Sequence, residues 1–373
     1  MAIADETEIG GDDRAATRPF VPTSAGWAAR GAVWAVLAWF VLCYPSNFLS
    51  PFEVRSLEAD AATQAIVFAV IGLSLNVLIG YAGQISLGHQ AFVGFGSFTS
   101  AYIVTDLGQE FWLAIVVAAI VGAVQAVLLG AVALRLTGLY FALITLSYGV
   151  MAEESLFNIE AFTGGDAGKD APRPVGFESN YRYYYLCLAF LALVVWLDWR
   201  LMKTKGGRAL LALRENPRVA ASLGINVKGF TLLAFAVGGA FAGIGGSLLA
   251  HRDLTVVRNS FEFRLALVFV LMTVVGGLRS RSGVVIGSAF FALLGNGKLL
   301  DMLHAGWIVE DKINLPLDFV PLVLGPLLLL LTLTLYPGGL GQQIAPIREW
   351  LLGRRFDIHA GGVKEVQNTD VRA

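Results

Sequence analysis

Gly80-Tyr81-Ala82-Gly83-Gln84-Ile85-Ser86-Leu87-Gly88-His89-Gln90-Ala91-Phe92 sits in the middle of the longest stretch of this chain that lacks Asp, Glu, Lys and Arg. That stretch, Ala61–Thr105, is 45 residues long. A helix crosses the hydrocarbon core of a bilayer with about 20 apolar residues, so the stretch holds two crossings and a turn. The turn falls on the quoted residues. Glycines at 80, 83, 88, 94 and 96 let backbones approach closely or let a helix break. Gln84, Ser86, His89 and Gln90 place polar groups at or near membrane depth, where an unpaired one is costly. Two readings stand: a cytoplasmic turn with helix-packing glycines, or a broken helix lining a polar pathway of the kind transporters use.

The same pattern extends outward in both directions. Uncharged runs also occupy Gly31–Phe52, Phe111–Leu134, Leu136–Ala152, Tyr183–Leu197, Gly229–Ala250, Leu265–Leu278, Ser282–Gly297 and Phe319–Ile347. Of the 373 residues, 56% are hydrophobic and 15% charged, against about 25% charged in a soluble domain. Lipid offers the backbone no hydrogen bonds, so helices are the default. The sequence therefore predicts an all-α, polytopic membrane protein of about ten spans. They lie near 31–49, 61–80, 86–104, 111–133, 138–156, 181–198, 229–250, 263–278, 282–298 and 317–336. Only Arg279-Ser280-Arg281 separates the eighth and ninth, which are short enough to be a tight hairpin or a re-entrant pair.

Basic residues set the expected orientation. With the N-terminus inside, ten spans leave both termini cytoplasmic, and the inner segments hold 18 of the 27 Lys and Arg. Seven of these lie between Arg200 and Lys228. The outer segments hold 17 of the 28 acids, in keeping with the positive-inside tendency. Residues 1–30 carry no apolar h-region and read as a disordered cytoplasmic tail rather than a signal peptide. Residues 31–340 form the permease-like membrane domain, and 341–373 a cytoplasmic C-terminal tail.

Enzyme chemistry is not expected. The net charge is −1, which excludes a strongly basic nucleic-acid binder. Gly164-Gly165-Asp166-Ala167-Gly168-Lys169-Asp170 lacks both the first glycine and the Ser or Thr of a phosphate loop. Four scattered histidines, with Cys43 and Cys187 in apolar runs, build no metal site. No catalytic residue, metal or bound cofactor is assigned.

Besides the polar stretch at 84–90, three segments stand out. In Arg135–Tyr148, Thr137, Thr145 and Ser147 can bond to their own helix, while Thr145 and Tyr148, three apart, share a face that could line a conduit. Phe162–Gly168 reads as a turn-rich loop. The inner segment 201–228 carries Arg214-Glu215-Asn216-Pro217-Arg218-Val219-Ala220 and then Leu223-Gly224. Asn216 is an N-cap, Pro217 a first helical residue and Gly224 a C-terminal stop. The short helix between them is either an amphipathic linker or a docking helix for a cytoplasmic partner. Gly239 and Gly243 form a small-xxx-small pair for helix packing.

Taken together and in this order, these segments resemble the permease subunits of branched-chain amino acid ABC importers of the LivM type. The resembling residues are GYAGQISLGHQAFVGFG at 80–96, RLTGLYFALITLSYG at 135–149, TGG at 163–165, GRALLALRENPRVAASLGINV at 207–227, AFAVGGAFAGIGGSLLA at 234–250 and VVGGLRSRSGVVIGSAF at 274–290. The resemblance covers roughly residues 60–340. It implies a multi-pass protein of the bacterial inner membrane that pairs with a second, similar permease. Two cytoplasmic ATPase subunits, which carry the ATP and magnesium, and an extracytoplasmic solute-binding protein complete such a complex. It also implies that Arg214–Ala220, Leu223 and Gly224 dock on an ATPase. Two departures stand: only Ala220 matches the Glu-Ala-Ala of the general importer coupling motif, and the loop after Gly165 is more charged. Related permeases serve urea or short amides, so the solute stays open between these and amino acids. Gln84, Ser86, His89, Thr145 and Tyr148 are the pathway candidates. The rival class is an ATPase-independent secondary transporter or channel, for which the nine uncharged runs supply no intramembrane relay of charged groups.

Overall fold

The computed structural model describes residues 24–43, 56–136, 138–295, 320–335 and 338–351. They divide between two units, one of residues 1–41 and 345–373 and one of residues 42–344. In the first unit, helix α1 (Ser24–Cys43) starts at Ser24, inside the segment expected to be a tail. The guanidinium of Arg30 stands 5.6 Å from the ring centre of Trp27 and 5.5 Å from that of Trp350. Trp350 belongs to helix α14 (Leu340–Leu351), so the segment expected to be a C-terminal tail begins as an amphipathic helix. The remainder of both expected tails lies outside the described residues.

The second unit is helical, with one small sheet. Its long elements are α2 (Ser56–Leu75), α3 (His89–Thr105), α4 (Phe111–Ala133), α5 (Leu139–Glu154), α7 (Asn180–Lys203), α10 (Val227–Asp253), α11 (Phe263–Gly276), α12 (Arg281–Gly295) and α13 (Val320–Leu335). With α1, a helix therefore lies on each of the ten apolar segments. Five helices among the described residues are long and apolar enough to cross a membrane. The third expected span begins at His89 rather than residue 86, and Thr137 lies outside the described residues.

Helix α2 is the axis of this unit. It is buried along nearly its whole length from Ala59, against α7, α10, α11 and α12. Helix α10 packs on α3 and α4 through the expected small-residue face: a methyl on Gly239 would overlap the Gly122 carbonyl, and one on Gly243 the Ala118 carbonyl. Lipid is as apolar as leucine, so such backbone-to-backbone packing is what holds membrane helices together. The opposite side of α4 exposes Leu113, Val116, Ile120, Val124 and Leu128 at helical spacing, a stripe suited to lipid.

The segment read as a simple loop is folded. It holds α6 (Glu160–Thr163) and β1 (Lys169–Asp170), which pairs antiparallel with β2 (Thr255–Val256). Phe157, Phe162, Phe98 and Phe261 form an aromatic cluster beneath it. Two short helices, α8 (Lys205–Glu215) and α9 (Pro217–Ser222), join α7 to α10 at the other end of the bundle. Helices α11 and α12 meet in a tight turn at residues 277–280.

Candidate functional site

Helix α2 does not end as an α-helix. From Asn76 to Tyr81 it widens into a π-helical turn, residues 82–88 run without helix, and α3 starts at His89. Single π turns are uncommon and concentrate at functional sites. The broken-helix reading of the polar stretch is thus the one the backbone adopts.

The break is pinned from three sides. The side chain of Asn76 accepts a 2.9 Å hydrogen bond from the backbone N–H of Arg279, in the α11–α12 turn. The guanidinium of Arg214, from α8, donates to the Gly80 carbonyl. On the α5 side, the Leu87 N–H donates to Thr145 Oγ1 at 2.9 Å, while that hydroxyl donates to the Ala142 carbonyl at 2.8 Å. Gly88 fits because a methyl there would overlap the Thr145 carbonyl.

The polar residues of the break are enclosed. Ser86, His89, Gln90 and Thr145 are all 0% exposed, so in this conformation the break is closed to solvent. His89 Nε2 and Ser74 Oγ share a 2.6 Å hydrogen bond, and the imidazole meets Phe92 edge-on. Tyr148 donates to Gln125 Oε1 at 2.8 Å and leans on Phe92. Ser86 Oγ, His89 Nδ1, both amide atoms of Gln90 and Asn76 Nδ2 are buried without a hydrogen-bond partner. Each such group costs about 1–3 kcal/mol. Five of them at one helix break is a concentration of unspent hydrogen-bonding capacity that calls for a functional explanation. Of the five pathway candidates, the structure brings Ser86, His89, Thr145 and Tyr148 together around the start of α3. Gln84 is half-buried and lies apart, beside the exposed Gly83 and Ile85.

Behind the break lies a charged hub that sequence reasoning missed. Asp198, near the end of α7, is fully buried. Tyr81 donates to its Oδ2 at 3.0 Å, and Arg281 forms an ion pair with the same oxygen. Arg279 pairs with Glu215 at 3.1 Å. These partners are separated by up to 117 positions in the chain, and the only trace of them in the sequence was a lone acid closing an apolar run.

Helices α8 and α9 lead away from this hub. Asn216 caps α9 as its sequence position demands, its Oδ1 accepting from the N–H groups of Arg218 at 3.0 Å and Val219 at 3.2 Å. At the far end Gly224 has φ +79°. Its N–H bonds to the Ala221 carbonyl at 3.0 Å and the Ile225 N–H bonds to that of Ala220 at 3.1 Å, the two bonds of a Schellman stop. The docking candidates divide by direction. Ala220 is buried, Arg214 reaches back to Gly80, and Glu215 holds Arg279. Burial, and then the neighbouring Arg279 charge, pull the Arg214 guanidinium below the usual arginine range. Pro217 and Arg218 are exposed, Val219 is 52% exposed and Leu223 74% exposed. A rigidly capped helix therefore presents two bare aliphatic side chains beside a basic one. Among the described residues no group of His, Cys, Asp or Glu is arranged to hold a metal ion.

Comparison with known proteins gives a consistent outcome. Residues 59–331 match the family described as branched-chain amino acid transport system / permease component. The chain is 31% identical over 271 residues to the high-affinity branched-chain amino acid transport system permease protein LivM of Salmonella typhimurium, covering 65% of this chain and 64% of that protein. It is 33% identical over 266 residues to LivM of Escherichia coli, covering 64% of this chain and 63% of that protein. Against the LivH permease of Escherichia coli it is 24% identical over 293 residues, 72% of this chain and 92% of that protein. The match thus spans slightly less than two thirds of the length of the LivM relatives.

Proposed function

Because the chain belongs to the family of branched-chain amino acid transport system permease components, we propose that it is one half of the membrane pathway of an ABC importer. It takes up branched-chain or related amino acids across the bacterial inner membrane. In this reading ten helices cross the bilayer, both termini are cytoplasmic, and the end of the bundle that carries α8 and α9 faces the cytoplasm. A second, similar permease forms the other half, as the likeness to both LivM and LivH relatives supports. ATP is hydrolysed by two cytoplasmic subunits, and a solute-binding protein delivers cargo from outside.

The observation that carries the proposal is α9. A two-turn helix is too short to be stable in isolation, yet this one is fixed at both ends, and Val219 and Leu223 are left bare. Its neighbour α8 grips the Gly80 carbonyl at the edge of the closed break. Movement of a bound ATPase is thereby carried through Arg214 to the segment that holds Ser86 and His89. Solute contacts in the open state fall to the hydrogen-bonding groups that have no partner in the closed one.

The test is to place Asp at both Val219 and Leu223 and to express the variant with its neighbouring ATPase and permease genes. The second permease should still co-purify, while the ATPase subunits and ATP-dependent uptake are lost. Normal uptake with no ATPase retained would overturn the importer assignment in favour of an autonomous transporter.

A further inference from the structure

At the end of the bundle opposite α8 and α9, α2, α10, α11 and α12 and the short helix Arg258–Phe261 surround a cavity of about 350 Å³. That lies at the small end of ligand pockets, roughly 300–1,000 Å³. Its deep wall is apolar, formed by Phe68, Leu249, Val268 and Phe291, while its rim carries Arg252, Asp253, Glu262 and Arg264. The two halves of the lining ask for different chemistry from one occupant.

The rim holds two guanidinium groups and two carboxylates, so it has no net charge to attract a simple ion of either sign. Arg252 is largely committed to the protein: Asp60 lies at 2.6 Å, Asp253 at 2.8 Å and Gln64 at 3.2 Å. The Glu262–Arg264 pair is different. Its closest approach is 3.4 Å, and the two side chains are 42% and 37% exposed. A loose, half-solvated pair is weakly held and can be opened by a ligand that offers a better partner to each member. A carboxylate makes a shorter, charge-assisted bond to a guanidinium, and an ammonium group does the same for the freed Glu262. The apolar wall then adds hydrophobic burial for an aliphatic tail, at roughly 25 cal/mol per Å².

We infer that this cavity is a binding site for a small zwitterion with an aliphatic side chain, a free amino acid of leucine type. Its carboxylate lies on Arg264, its ammonium on Glu262, and its side chain against Phe68 and Phe291. Calling this ligand the cargo rests on the permease reading above; the ligand's chemistry rests on the cavity alone. An aminophospholipid headgroup carries the same three features, an anion, an ammonium and an apolar tail, and the experiment separates the two.

The purified complex is reconstituted in nanodiscs of phosphatidylglycerol alone, and binding of radiolabelled leucine is measured without ATP. Saturable binding is expected. Isocaproate, which lacks the ammonium, and isoamylamine, which lacks the carboxylate, should each compete at least tenfold more weakly. Glu262→Gln should weaken leucine at least tenfold and leave isocaproate unchanged. Arg264→Gln should weaken leucine and isocaproate together and leave isoamylamine unchanged. Both side chains are half-exposed, so neither variant threatens the fold, and Val268→Phe, which fills the apolar wall, serves as an independent block. Leucine binding that ignores all three substitutions overturns the inference. So does phosphatidylethanolamine, added to the nanodiscs, if it is retained by the wild type, lost from Glu262→Gln and not displaced by leucine. Normal ATP-dependent uptake by variants that have lost this binding would remove the cavity from the pathway and leave the permease reading intact. Binding that persists when uptake proves independent of any ATPase would do the reverse.

Discussion

Replacing Gly224 by valine tests the stop of α9 with little ambiguity. Gly224 has φ +79°, and a Cβ built on it meets nothing within 4 Å. A side chain there therefore collides with no neighbour, and its cost is the backbone conformation alone. For an L-residue the left-handed region costs roughly 1–2 kcal/mol, and β-branching makes valine one of the least tolerant. The helix has only six residues, so the strain is relieved by giving up the two stop hydrogen bonds at 3.0 and 3.1 Å. That unwinds the turn which carries Leu223. A 1–2 kcal/mol shift is a factor of roughly 5–30 in the population of the docking-competent turn, and affinity for the ATPase subunits should fall by that factor. The assay titrates detergent-solubilised permease complex with purified ATPase subunits and follows uptake in parallel. Gly224→Asn is the control, because asparagine visits the left-handed region and should retain most of the affinity. Wild-type affinity in the valine variant would refute the reasoning. Equal damage from asparagine and valine would also refute it, because then something other than φ is at work.

Other consequences follow from the same contacts. Asp198→Asn leaves the Arg281 guanidinium without its charge partner; losing one member of a buried pair costs about 3–5 kcal/mol, at the lower end here because Arg281 is 30% exposed. Thermal unfolding should fall clearly, and recover in part when Arg281→Met is added. Arg214→Ala strips the Gly80 carbonyl of its donor while α9 stays intact, so the ATPase subunits should still bind but hydrolysis should no longer drive uptake; preserved uptake per ATP would count against α8 as the lever. Ser86→Ala removes a buried hydroxyl that has no partner, so thermal stability should hold or rise by up to about 1 kcal/mol while uptake drops. A loss of stability there would mean that the hydroxyl is structural. Gly243→Leu should abolish accumulation of folded protein, since the Ala118 carbonyl occupies the space of its Cβ, and normal expression would show that α10 and α4 are held apart from one another in solution.

Features set by near neighbours in the chain were legible before any coordinates. The apolar runs marked where helices would lie, because burial of a whole helical surface leaves a mark on every residue of it. The cap at Asn216 and the stop at Gly224 were equally plain, since each bond they make spans three to five residues. The break at 82–88 could be read as a possibility, from glycines and polar groups in one uncharged run, but its π-helical turn could not. That turn exists because Asn76 reaches a backbone N–H in a turn 203 residues away, and nothing at Asn76 itself announces it.

Direction was the other thing hidden. Arg214 and Glu215 adjoin the docking helix in the sequence, yet their side chains face back into the membrane unit. Thr145 and Tyr148 do share a face, but that face is turned inward, onto the break and Gln125. The loop after Ile159 folds because aromatic rings from α3 and the segment before α11 close beneath it. Local sequence sets which residues can be helical and where a helix must stop, because those energies involve only neighbours. Which oxygen a guanidinium finds, and which buried hydroxyl is left with none, depends on groups that only the packing of distant helices brings within 3 Å, and that was settled by the tertiary structure.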